Sequence, residues 1–201
     1  MLILTSNGLS THEMREKLKP IFNGLTKAVI ITTASVGYKE KDWHIERLTN
    51  ELQSFGFSVD YFDFDTQNPE LLLDYDVVEI NGGNPFYLLM SMKNANCHSI
   101  MSELSKSKII IGVSAGSIVL QKNINLIAQY SPELNENIDL TDFSGLALTN
   151  VEIIPHYSRF LSRFEQFEER AKEYEKQNHL EVIRLNDGQG IVIDDSGLKL
   201  I

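Results

Sequence analysis

A run of β-branched residues that ends abruptly in a pentad of small ones limits what this chain can fold into. Ile109-Ile110-Ile111 leads straight into Gly112-Val113-Ser114-Ala115-Gly116. The apolar run has the character of a buried strand, and Ser117-Ile118-Val119-Leu120 that of a buried helix beginning. Strand, sharp turn and helix with a serine at the apex is the nucleophile-elbow geometry. Small residues on either side permit the turn, which lifts the hydroxyl clear of the sheet. The same turn aims main-chain N–H groups and a helix N-terminus at whatever the hydroxyl attacks. Gly-x-Ser-x-Gly alone recurs by chance, so its strand-to-helix context carries the weight. A plain tight turn is the competing reading.

The rest of the chain supplies similar units. Leu2 to Thr5 is a short apolar run closed by the turn cluster Ser6-Asn7-Gly8, and Lys27 to Thr33 is a second continuous run. Asp42 to Phe55 has a broad apolar stripe of Trp43, Ile45, Leu48, Leu52 and Phe55, with Gly56 as its C-terminal cap. Phe57 to Phe64 and Asp76 to Ile80 predict two more strands, the latter running into Asn81-Gly82-Gly83-Asn84-Pro85 and a helix. Strands alternating with helices predict an α/β fold with a mostly parallel sheet. Ligands of such sheets bind at the carboxyl ends of strands, where both Gly82-Gly83 and Ser114 fall.

Beyond Leu120 the pattern weakens. Gln121 to Asn150 is polar and loop-like, Val151 to Ile154 predicts a strand ending in Pro155-His156-Tyr157, and Phe160 to Gln177 predicts one charged helix. Glu181 to Leu185 and Gln189 to Asp194 predict late strands, the last paired with the terminal Gly-Leu-Lys-Leu-Ile. With no repeat, linker or low-complexity tract, residues 1–201 are expected to form one domain.

The 201 residues carry a net charge of −10, which argues against a polyanion partner such as nucleic acid, and no basic cluster offsets it. There is no apolar run long enough to span a membrane. Met1 to Thr5 lacks the basic n-region and long apolar core of a signal peptide, and the one cysteine, Cys97, fits a reducing compartment. A cytoplasmic monomer or homodimer is the expectation.

A serine nucleophile needs a base within hydrogen-bond reach and a third group to orient that base. Of His12, His44, His98, His156 and His179, only His156 directly follows an apolar strand, behind a proline, so it is the expected base; a satisfied structural histidine is the rival. The acid is less determined. Asp187 lies in the turn Leu185-Asn186-Asp187-Gly188, where turn chemistry alone would also place it, and Asp139 and Asp142 compete from the polar stretch. Glu152 is expected to point away, and Tyr157 or Ser158 to complete the pocket. The amides of Gly82, Gly83 and Ala115 are candidate oxyanion donors, although Asn84 and Pro85 also fit a simple helix cap. Cys97 and His98 are adjacent, which on a helix turns them about 100° apart and disfavours a thiol nucleophile. No metal-ligand spacing and no phosphate loop occurs, so neither metal nor cofactor is expected.

Asn81-Gly82-Gly83-Asn84, Gly112-Val113-Ser114-Ala115-Gly116 and Pro155-His156, in that order over nearly the whole chain, resemble the peptidase E family of serine peptidases, family S51, which includes cyanophycinase. The resemblance implies a three-layer α/β/α sandwich like that of class I glutamine amidotransferases (flavodoxin-like). It also implies a serine-type exopeptidase acting on short peptides, with aspartyl dipeptides or aspartyl links as family substrates. Carried over by motif, Ser114 is nucleophile, His156 base, and Gly83 and Ala115 oxyanion donors. Asp187 takes the place of the family's late acid, where peptidase E has the longer glutamate. Gly82, Asn84 and Tyr157 would line the substrate site. The family's carboxylate-binding arginine corresponds to Arg170, with Arg159 and Arg163 nearer the histidine. The segment Gln121 to Tyr130 departs from the aspartyl dipeptidases, so the peptidase reaction is the firmer expectation and aspartate specificity the weaker. The alternatives are an esterase of the α/β-hydrolase type, which places its acid between serine and histidine in the chain, and a non-catalytic binding protein on a flavodoxin-like scaffold.

Overall fold

Each apolar run of the first half becomes a strand in a computed structural model that describes residues 1–201. The strands are β1 (Leu2–Thr5), β2 (Lys27–Ile31), β3 (Ser58–Phe62), β4 (Val77–Ile80) and β5 (Ile109–Val113). All five are parallel; β8 (Gly190–Asp194) runs antiparallel beside β1 and β9 (Gly197–Leu200) antiparallel beside β8, giving the order β3-β2-β4-β5-β1-β8-β9. Alternate residues of the central strands feed opposite faces, and both faces are covered, which is why the runs are apolar throughout.

On one face Ile3, Ala28, Ile30, Ile109 and Ile111 pack against α1 (His12–Phe22) and α2 (Trp43–Gln53). Side-chain oxygens start both helices: Thr11 accepts from Met14 N–H and Asp42 from His44 N–H. On the other face Leu4, Ile31, Ile80 and Ile110 meet α3 (Pro85–Asn94), α4 (His98–Ser107) and α5 (Ala115–Val119). The molecule is a three-layer α/β/α sandwich.

The second half departs from its sequence reading in three places. Gln121 to Asn150 is not all loop, because Leu126, Ile127 and Tyr130 bury one side of α6 (Asn125–Tyr130). The predicted helix Phe160–Gln177 is two, α7 (Tyr157–Arg163) and α8 (Phe167–Asn178), separated where Phe164 is extended and Gln166 left-handed. The break folds α8 back so that Phe167, Ala171 and Tyr174 close over Tyr130, an enclosure that one straight helix would not give them. Finally, β6 (Glu152–Ile154) does not join the main sheet. It pairs in parallel with β7 (Val182–Arg184) in a small sheet of its own. Within the predicted stripe of α2, Trp43 is also misassigned: it is 73% exposed and stacks on His44.

Candidate active site

Ser114 sits between β5 and α5 with φ +50° and ψ −108°, a conformation that costs a non-glycine residue energy. The surroundings compel it. A Cβ on Gly112 would lie 2.6 Å from Cα of Ser117, and one on Gly116 would lie 2.0 Å from the carbonyl oxygen of Ile80, so only glycines let α5 close onto the strand ends. Ser117 locks the turn to β1: its Oγ donates to Thr5 O at 2.9 Å and accepts from Thr5 N–H at 3.0 Å.

His156 and Asp187 come from the small sheet. His156 follows β6 with φ +55°, and Asp187 lies in the turn after β7. His156 Nε2 is 2.9 Å from Ser114 Oγ, and its Nδ1 is 2.5 Å from Asp187 Oδ1. The turn Ser6-Asn7-Gly8 reaches the same place. Ser6 Oγ donates to Asp187 Oδ1 at 2.8 Å and accepts the main-chain N–H of His156 at 2.8 Å, while Asn7 Oδ1 accepts from Gly188 N–H at 2.8 Å. These contacts were not foreseen from the sequence. The available signal was the position of Ser6, directly after a strand whose carboxyl end faces the site.

The electrostatics follow from these contacts. Burial lowers the His156 imidazole below its ordinary value; Asp187 opposes this, and Arg159 and His44 add to it. Burial pushes the Asp187 carboxyl up, but the Ser6 hydroxyl, His156 and Arg159 outweigh it and hold the group below the usual carboxylate range. At neutral pH the imidazole is therefore unprotonated beside a carboxylate. A hydroxyl bonded to such a pair has what general-base activation requires.

All three groups open on a cleft of about 560 Å³, which Gly82, Gly83 and Ala115 also line. Gly83 has φ +142°, and a Cβ there would lie 2.2 Å from the carbonyl oxygen of Ala34, so only glycine fits at this wall. Ile118, Ile127, Leu134 and Phe160 make an apolar side, and Arg47, Arg159 and Arg163 bring cations to it.

Three predicted substrate contacts are not brought to the cleft. Asn84 is occupied as a cap, accepting from Phe86 and Tyr87 N–H and donating to Leu134 O at 2.7 Å. The Tyr157 hydroxyl turns to Glu168. Arg170 donates to Gln129 O at 2.6 Å and lies over the Tyr130 ring, away from the cleft lining. Of the acids weighed against Asp187, Asp142 is exposed and tied to Lys93, and Glu152 is buried against Tyr174. Cys97 is buried, with its thiol pushed up to about 12, so it is inert at neutral pH.

An elbow serine at the carboxyl edge of a parallel sheet, facing a histidine and an acid, defines a hydrolase of the serine type. The profile of Peptidase family S51 matches residues 2–201, and the chain belongs to that family. It is a serine peptidase. An uncharacterized peptidase of Listeria monocytogenes is 28% identical over 162 residues, 78% of either chain. Peptidase E of a Nostoc species is 24% identical over 210 residues, covering 100% of this chain and 85% of its own. The crystal structure of a peptidase from an acI-B1 actinobacterium superposes with a TM-score of 0.72 at 18% identity, over 100% of this chain and 86% of that one. The fold is thus that of the family, class I glutamine amidotransferase-like, and the esterase alternative is set aside.

Proposed function

We propose that the protein hydrolyses short peptides through Ser114, His156 and Asp187. The observation that carries this reading is the continuous chain from Ser114 Oγ through both ring nitrogens of His156 to Asp187 Oδ1. Ser114 Oγ attacks the scissile carbonyl carbon while His156 Nε2 takes its proton. Asp187 holds the Nδ1–H and stabilises the imidazolium. The N–H groups of Gly83 and Ala115 receive the oxyanion. Collapse breaks the C–N bond, His156 protonates the departing amine, and water then releases the acyl group by the same route in reverse.

For the substrate, the observation to weigh is which arginines face the cleft. Arg47, Arg159 and Arg163 do, and Arg170 does not; Arg47 is committed to Glu51 and Asn7 O, and Arg159 to Asp187. A carboxylate on the peptide, whether an aspartyl side chain or the free C-terminus, would pair with Arg163, which is exposed, lies over the Phe164 ring and meets one carboxylate, Glu133, at 3.4 Å. No helix is long and apolar enough to cross a membrane; a cytoplasmic monomer or homodimer acting on small peptides fits the single buried cysteine.

Two measurements test this. A fluorophosphonate should label Ser114 in the wild type and leave a folded Ser114→Ala variant unlabelled; equal labelling of both removes the assignment. A dipeptide panel with varied N-terminal residues, including Asp, should show a preference for acidic peptides that Arg163→Ala reduces. A panel on which that substitution has no effect removes Arg163 from recognition.

A further inference from the structure

The large sheet supplies the nucleophile and the small sheet supplies base and acid, so something must hold the two in register. The small sheet is only two strands of three residues, too slight to fix two side chains by itself. Several contacts tie it to the main sheet at the site, Asn7 with Gly188 among them, but one buried hydroxyl reaches both His156 and Asp187. Ser6 is fully buried at the carboxyl end of β1, and β1 hydrogen-bonds directly to β5, the strand that carries Ser114. Its own N–H donates to Gln189 O at 3.1 Å, which fixes its backbone to the segment following Asp187.

We propose that Ser6 is a positioning residue of the active site, a two-way hydroxyl that sets His156 and Asp187 relative to Ser114. The inference rests on the catalytic reading above. Both halves of the hydroxyl are used. Its proton goes to Asp187 Oδ1, the same oxygen that meets His156 Nδ1. Its lone pair receives the N–H of His156, a residue held in the left-handed region where its amide needs a partner. A serine fits because it can donate and accept at once. Alanine would leave that buried N–H without an acceptor and leave Asp187 with one donor fewer.

A chemical consequence separates positioning from mere support. Two donors share Oδ1, so the Ser6 bond draws negative charge from the oxygen that stabilises the imidazolium. Without it Asp187 supports the protonated ring more strongly, and His156 ionises at a higher pH. The other charged groups facing His156, Arg159 beside it and His44 across the cleft, are unchanged by the substitution.

Diisopropyl fluorophosphate tests this without knowledge of the natural peptide. Ser114 Oγ attacks phosphorus, the O–P bond forms as P–F breaks, fluoride leaves, and His156 Nε2 takes the proton. The second-order rate is measured against pH for wild type, Ser6→Ala, Ser6→Thr, Asp187→Ala and the double variant Ser6→Ala/Asp187→Ala. Ser6→Ala should react about 10- to 100-fold more slowly. Its acid-side midpoint should move to higher pH, and Ser6→Thr, which keeps the hydroxyl, should recover both. In the double variant the combined loss should fall well short of the product of the single losses, a comparison that does not depend on room for the threonine methyl. A rate and midpoint like those of the wild type in Ser6→Ala overturn the proposal. So does a slower rate with an unmoved midpoint, or fully multiplicative losses. Wild-type protein that takes no label at Ser114 defeats the catalytic reading itself, whereas failure of the Ser6 effects alone leaves that reading standing.

Discussion

His156 lies in the left-handed region, is mostly enclosed, and contacts a carboxylate and two hydroxyls. Its lowered ionisation means that the working, neutral form persists into mildly acidic solution. The acid limb of kcat/KM should therefore have its midpoint below about 6.5, the ordinary value for histidine, and a midpoint above it would contradict the assignment. Replacing Asp187 with Asn keeps the shape but favours the wrong tautomer, and kcat should fall on the order of 10³-fold or more with KM little changed. Gly83→Ala places a methyl against the Ala34 carbonyl at a φ that alanine resists. Destabilisation of about 3 kcal/mol, read as a lower midpoint in urea, is the expected result. At this scale Ser114, His156 and Gly83 were legible because small or β-branched neighbours frame them. Ser6 was not, since it resembled an ordinary turn residue, and Arg159 was singled out only as an arginine near the histidine, not as a partner of Asp187.

Among the elements, β4 contains a group that the others do not explain. Glu79 faces the α1 and α2 side, paired in register with Ile30 and Ile111, and neither carboxyl oxygen has a partner. Burial raises it well above the usual carboxylate range, and the nearby charge of Glu51 raises it further. A carboxyl protonated in the fold contributes its full stability below the unfolded value of about 4.3, and that contribution is lost as pH rises through the folded value. Between those limits the wild type should lose stability as pH rises, and Glu79→Gln should flatten the slope. Glu79→Met should stabilise the fold at pH 7 by about 1–3 kcal/mol, because it removes unpartnered buried oxygens while filling the same space. Thermal unfolding at two pH values checks both, and an unaltered slope in Glu79→Gln would sink the account. The strands of the main sheet were readable because continuous burial makes continuous apolar runs. The helix break at Phe164–Gln166 was not, because its cause is the closure of Phe167 over Tyr130 from a distant segment. The same helix α8 carries Arg170, which lies over the Tyr130 ring.

Across the whole molecule the layers are unequal. Two clusters of 27 and 16 buried apolar residues clamp the main sheet; the small sheet and its turn add only Ile153 and Leu185 to the larger one, and its other side is held to α8 by a cluster of 7. Regions with few buried contacts open first, at a free energy below that of global unfolding. Opening of β6, β7 and α8 would carry off His156 and Asp187 and leave Ser114 seated on an intact sheet. The protein should thus have two temperature scales: catalysis should fade reversibly several degrees before the far-ultraviolet dichroism of the sandwich changes. Hydrogen exchange should be faster at Ile153 and Ile183 than at Ile110 and Ile30. A peptidase built this way shuts itself off before it unfolds, with its hydroxyl still in place and nothing left to activate it.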